Sequence, residues 1–183
     1  SQGERVAIMM PNILQYPIST FGILKAGLIV ENINPLYTAR ELETQLINSK
    51  SETIIILENF AHLIEKIIHK TMVKNIIITS AGELLGIKGF LINFVLRKIK
   101  KMVPEYKIDK FYTFSKIIEK NDKYEIKKAS SKLDDVAFLQ YTGGTSGTTK
   151  AAMLTHRNIL SNVFQVKEWL GPHLKYGEDI AIC

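Results

Sequence analysis

Short runs of apolar, often β-branched residues recur through the first half of the chain, each followed by a stretch with helical spacing. Val6 to Met10, Leu28 to Asn32, Thr53 to Leu57 and Ile76 to Thr79 have strand length and composition. Tyr16 to Ala26 is apolar around most of its circumference and closes on Gly27, which predicts a well-buried helix with a glycine C-cap. Thr38 followed three residues later by Glu41 forms a capping box, opening a helix over Ala39 to Asn48 with Leu42, Leu46 and Ile47 on one side. His62 to Lys70 continues the series, with Leu63, Ile64, Ile67 and Ile68 at helical spacing. Alternation of this kind implies crossover units, and so an α/β fold with a mainly parallel sheet and helices on both faces.

The alternation breaks after Thr79. Ser80 to Gly89 reads as a loop and Phe90 to Val103 as an amphipathic helix ended by Pro104. Leu91, Ile92, Val95, Leu96, Ile99, Met102 and Val103 fall on one arc of it, and Arg97, Lys98, Lys100 and Lys101 on the other. Phe111 to Lys120 predicts another helix, Asn121 to Asp135 a lysine-rich connector, Val136 to Tyr141 a strand, and His156 to about Leu170 a helix. Ile180 to Cys183 reads as the start of one more strand.

Composition narrows the class. A chain of 183 residues, 46% hydrophobic and 23% charged, is long enough for one packed core and too apolar for disorder. The only cysteine, Cys183, permits neither an internal disulfide nor a cysteine-based metal site, which fits a cytoplasmic protein. The start lacks the pattern of a signal peptide, and no apolar run approaches the roughly 20 residues that span a bilayer. Between Lys66 and Lys132 there are 16 Lys/Arg against 6 Asp/Glu, leaving 8 against 12 elsewhere. So basic a middle suits nucleic acid, anionic lipid or no partner at all. Its lysines alternate with core-type apolar residues and no base-stacking motif accompanies them, so nucleic acid is not expected. For the Phe90 to Lys101 helix, core packing with a solvated basic face is the preferred reading. Shallow contact with an anionic inner membrane is the other, each Lys/Arg adding about 1 kcal/mol near the surface.

The chemistry concentrates in Thr142 to Lys150, TGGTSGTTK, directly after a strand. Gly143, Gly144 and Gly147 allow positive φ and close approach of amide N–H groups to an anion. Thr142, Thr145, Ser146 and Thr148 add hydroxyl donors, and Lys150 adds a positive charge. The Walker A loop does not match, because Thr149 precedes the lysine and Ala151 follows it. No G-x-G-x-x-G is present, and GTSGT is not the G-x-S-x-G elbow of serine hydrolases. A polar surface turn is the alternative for a generic GGTSG. Of the histidines, His62 and His69 lack a third ligand and His156 is expected to help start its helix. Asp134 and Asp135, adjacent on an extended chain, should point apart.

Taken whole, Phe138 to Asn158 (FLQYTGGTSGTTKAAMLTHRN) resembles the phosphate-binding signature of the adenylate-forming superfamily. With Met10 to Gly27 (MPNILQYPISTFGILKAG) and Asn32 to Leu46 (NINPLYTARELETQL), it resembles the bacterial long-chain-fatty-acid–CoA ligases in particular. The resemblance implies that residues 1 to 183 are part of a large N-terminal nucleotide- and acyl-binding domain, with the C-terminal domain absent. It implies ATP, Mg2+ and CoA as cofactor and co-substrates and a fatty acid as substrate. Thr142, Gly143, Gly144, Thr145, Ser146, Gly147, Thr148 and Lys150 would form the phosphate cradle. No catalytic residue is expected within these 183, and neither half-reaction is expected from them alone. Alternatives are a nucleotide-binding module without catalysis and an aryl or amino-acid adenylating enzyme. Ala151 departs from the glycine usual in the family, which implies a more restricted backbone there.

Overall fold

We describe the protein from a computed structural model, in which residues 2–119, 129–142, 150–173 and 177–178 are described. Seven strands among them form one sheet in the order β5-β4-β3-β1-β2-β6-β7. β1 (Arg5–Met9), β2 (Ile29–Asn32), β3 (Thr53–Leu57), β4 (Asn75–Thr79), β5 (Tyr112–Thr113) and β6 (Val136–Thr142) run parallel. β7 (Lys150–Thr155) closes one edge as the antiparallel partner of β6.

The connecting helices are α1 (Gln15–Lys25), α2 (Ala39–Ser49), α3 (Ala61–Ile67), α4 (Gly86–Phe94), α5 (Phe114–Glu119) and α6 (His156–Leu170). Alternate residues of each central strand feed opposite cores, as the twofold side-chain period requires. Ala7 and Met9 of β1 join Ile54, Ile56, Ile76 and Ile78 beneath α2 and α3. Val6 and Ile8 join Val30, Ile55 and Leu57 beneath Ile23 of α1 and Phe114 of α5. The α/β sheet with helices on both faces is therefore as expected.

Local signals place the boundaries. At Thr38 the hydroxyl accepts from Glu41 N at 3.4 Å, while Glu41 Oε2 accepts from Thr38 N at 2.8 Å. Below that cap, Leu42, Gln45, Leu46 and Ser49 face the sheet and Ile47 lies exposed. The expected apolar side is thus shifted. Steps of three and seven from Leu42 select Gln45 and Ser49, whose Nε2 and Oγ find partners under the helix, and turn Ile47 outward. Gly27 adopts φ +72 after α1, and a side chain there would also meet Ala129 Cβ.

Four expectations are corrected. α1 is not well buried, because only Gln15, Ser19, Thr20 and Ile23 turn inward while Ile18 and Phe21 lie exposed. α4 begins at Gly86, inside the expected loop, and continues as a π-turn over Val95–Ile99, ending before Val103. Phe111 to Lys120 is divided into the short β5 and α5, because Tyr112 and Thr113 add to the edge of β4. β7 was not expected at all: Lys150 to Thr155 has a mixed apolar and polar sequence, and only its pairing with β6 makes it a strand. Ile180 to Cys183 lies outside the described residues.

The largest departure is the direction in which α4 faces. Gly89, Asn93 and Arg97, four apart, point at the protein. Gly89 is buried so close to Gly82 that a Cβ on either would run into the other's backbone. Asn93 Oδ1 accepts from Gly82 N at 2.8 Å, and Asn93 Nδ2 donates to Ser80 Oγ at 2.9 Å. Arg97 donates through Nε and Nη2 to Glu58 Oε2, at 2.9 and 2.6 Å, beyond the end of β3. Ile87, Phe90, Leu91 and Phe94 point outward, Ile87 being 88% and Phe90 73% exposed. The preferred reading of a core-packing apolar face is overturned, since polar clamps occupy the side that meets the fold.

Candidate phosphate-binding site

α1, which follows β1, packs on one face of the sheet, and α2, which follows β2, packs on the other. Where neighbouring parallel strands send their connections to opposite faces, their carboxyl ends part and leave a crevice, the usual ligand position in such sheets. Here the crevice is a cleft of about 560 Å³, floored by Ile8 and Met10 and walled by Asn12, Tyr16, Asn32, Asn34, Tyr37 and Gln140. Among the described residues no charged side chain lines it. Tyr16 OH donates to Asn32 Oδ1 at 3.0 Å, and Asn32 Nδ2 donates to Gln140 Oε1 at 3.1 Å.

β6 runs along this cleft and ends at Thr142, whose register partner on β7 is Lys150. Both are exposed, so a hydroxyl and an ammonium group stand side by side at the carboxyl edge of the sheet. That pair suits an anion, and phosphate above all, because the charge is free of burial cost. Gly143, Gly144, Thr145, Ser146, Gly147 and Thr148 lie outside the described residues. Ala151 pairs with Tyr141 in extended backbone, a conformation in which alanine is at no disadvantage to glycine, so the expected restriction does not arise.

Behind the strand end lies a buried carboxylate. Glu31 of β2 accepts from Gln45 Nε2 at 2.9 Å and from Ser51 Oγ, and burial pushes its carboxyl above the usual range despite these bonds. Tyr141, on the same face, donates its hydroxyl to Asn48 Oδ1 at 2.8 Å. Burial first, and then the Glu31 charge, push its phenol up to about 12.

The remaining sequence candidates play structural parts. Asp134 accepts from Arg157 Nε at 2.8 Å and Asp135 Oδ2 accepts from Lys132 N at 2.8 Å, so the two carboxylates do separate. His156 is the first residue of α6, but Thr155 and Asn158 cap that helix. Among the described residues no three His, Cys, Asp or Glu side chains converge on a point that would hold a metal. Sequence reasoning missed the lining of the cleft. Its signal was present as polar residues at or just after strand ends: Asn12 after β1, Asn32 and Asn34 around the end of β2, and Gln140 in β6.

The profile of AMP-binding enzymes matches residues 1–183, the whole chain. The chain belongs to the AMP-binding enzyme family. Within the family, it is 49% identical over 182 residues to a long-chain-fatty-acid–CoA ligase of Salmonella typhimurium, covering 99% of this chain and 32% of that protein. A ligase of the same name from Haemophilus influenzae is 50% identical over 170 residues, covering 92% of this chain and 30% of that one. The chain thus spans about a third of the length of the curated relatives it matches. In fold it is similar to the crystal structure of a long-chain-fatty-acid–CoA ligase from Archaeoglobus fulgidus, with a TM-score of 0.68 at 23% identity over 93% of this chain and 28% of that one.

Proposed function

We propose that this chain is the ATP-phosphate-binding part of a long-chain-fatty-acid–CoA ligase. In the reaction a fatty carboxylate oxygen attacks the α-phosphorus of ATP and pyrophosphate leaves, giving acyl-AMP. The thiol of CoA then attacks the acyl carbonyl and AMP leaves. Negative charge builds on the phosphoryl oxygens in the first step, so fixed donors near the leaving pyrophosphate lower its barrier without a covalent enzyme intermediate. The observation that carries this reading is the placement of Thr142 opposite Lys150 at the carboxyl edge, beside the switch-point cleft. Thr142, the Gly143 to Thr148 segment and Lys150 would hold the β- and γ-phosphates. Magnesium bound with the nucleotide would neutralise charge on those phosphates. Identity near 50% to ligases named for long-chain fatty acids favours that acyl class over aryl or amino-acid substrates.

Titration of the chain with MgATP by calorimetry tests this. Binding by the wild type that is lost in Gly144→Val/Lys150→Ala supports it, and binding equal in both contradicts it. The 183 residues alone are expected to yield no acyl-CoA. A bare nucleotide-binding module would show the same binding, and is told apart by the absence of turnover in the longer protein as well.

A second surface favours a cytoplasmic protein in peripheral contact with anionic lipid. The outward face of α4, Ile87, Phe90, Leu91 and Phe94, is apolar, and the exposed Lys88, Lys98, Lys100 and Lys101 flank it. Such a combination inserts shallowly at a negatively charged interface, and a substrate that partitions into lipid would be met there. Co-sedimentation with phosphatidylglycerol vesicles, lost in Phe90→Ser/Phe94→Ser and weakened by 0.5 M salt, is the expected result. No sedimentation of the wild type would remove the proposal.

A further inference from the structure

The ladder between β2 and β6 ends at the pair Asn32 and Gln140, because β2 stops there. Tyr141 and Thr142 continue beyond it, with strand pairing only on the β7 side, to Ala151 and Lys150. The edge that carries Thr142 is therefore half-supported by the sheet.

Side chains supply the missing half, from both faces. Above, Gln140 Oε1 accepts from Asn32 Nδ2 at 3.1 Å, and Asn32 Oδ1 accepts from Tyr16 OH at 3.0 Å. Below, the Tyr141 ring is buried and its hydroxyl donates to Asn48 Oδ1 at 2.8 Å, on the last turn of α2. α2 is itself tied to β2, since Gln45 Nε2 donates both to Glu31 Oε1 at 2.9 Å and to Asn32 O at 3.0 Å. Asn32 is thus shared: its backbone is held by α2 and its side chain holds β6.

We propose that Tyr141, Asn48, Asn32 and Gln140 form a two-faced clamp that positions the end of β6, and with it Thr142 and Lys150, for the phosphates of ATP. The inference rests on the reading of ATP at this strand end. Asn48 lies outside the cleft, while Asn32, Gln140 and Tyr141 line it; in the clamp all four act as positioning residues, through the strand end that carries Thr142. A donor misplaced by a fraction of an ångström loses much of its effect on developing charge, so a rigid strand end is worth more than a merely folded one. With its phenol pushed up to about 12, Tyr141 remains a proton donor at any working pH.

Two measurements on the chain test it. Hydrogen exchange reads the clamp without nucleotide: in Tyr141→Phe, which keeps the ring, the amides of Tyr141, Thr142, Lys150 and Ala151 should exchange about tenfold faster, while those of Thr53–Leu57 stay unchanged. Calorimetry reads the consequence: the Kd for MgATP should rise about tenfold at an unchanged melting temperature. Asn48→Leu should reproduce both effects and Asn48→Asp, which keeps an acceptor oxygen, should restore wild-type behaviour. A merely structural bond would instead lower the melting temperature. Unaltered exchange in Tyr141→Phe overturns the clamp. Faster exchange with the same MgATP affinity overturns its positioning role. A wild-type chain that binds no MgATP contradicts the proposed function, and the exchange data still decide whether the clamp exists.

Discussion

α2 and α4 are both amphipathic and both lie against the same sheet system, yet they face opposite ways. α2 turns Leu42 and Leu46 inward, each fully buried, and leaves charged residues outside. α4 turns Gly89, Asn93 and Arg97 inward and leaves Ile87, Phe90, Leu91 and Phe94 outside. A hydrophobic stripe shows that a helix has two unlike sides. Which side meets the fold depends on what the fold offers. α2 meets an isoleucine-rich sheet face; α4 meets a glycine backbone and the buried Glu58 carboxylate.

Substitutions that treat the two helices alike should separate them. Leu46→Ala opens a cavity under α2 and should cost about 2–5 kcal/mol in urea unfolding, whereas Phe90→Ala should leave the midpoint nearly unchanged. An equal loss for both would mean that α4 also packs through its apolar side. Arg97→Ala leaves the Glu58 carboxylate buried without its partner and should cost about 2 kcal/mol, together with faster proteolysis between Ser80 and Met102. Thr38→Ala removes the cap of α2 and should cost about 1 kcal/mol. No cap hydroxyl exists at the start of α4, where Leu85→Ala should change little.

The smallest effect is a pH dependence under α2. Because burial raises the Glu31 carboxyl, the protonated form is favoured by folding. The stabilisation is complete below the unfolded value of 4.5 and is lost as pH rises through the higher folded value. Glu31→Gln, which removes the ionisation, should therefore gain melting temperature relative to wild type as pH rises from about 4 to neutrality. A gap that widens toward low pH would contradict the direction.

Much of this was legible in the residues. The Thr38 capping box, the four central strands and Gly27 are set by local chemistry and sit where their patterns put them. The orientation of α4 was not legible, because Glu58 is distant in sequence and only the folded sheet brings it beneath the helix, while the contact with Gly82 depends on how the turn before α4 folds back on it. β7 was hidden for a similar reason: its strand character comes from β6, across the segment that joins them. Of the candidate phosphate site, Thr142 and Lys150 were read from the motif, while the cleft beside them is made by the order in which strands enter the sheet.

Phosphorus NMR of MgATP in the presence of the chain separates contact at the phosphates from contact elsewhere on the nucleotide. The β- and γ-phosphorus resonances should shift and broaden with the wild-type chain, and the effect should vanish with Lys150→Ala and weaken with Thr142→Val. Perturbation that persists in both variants would place the phosphates away from the end of β6 and contradict the site.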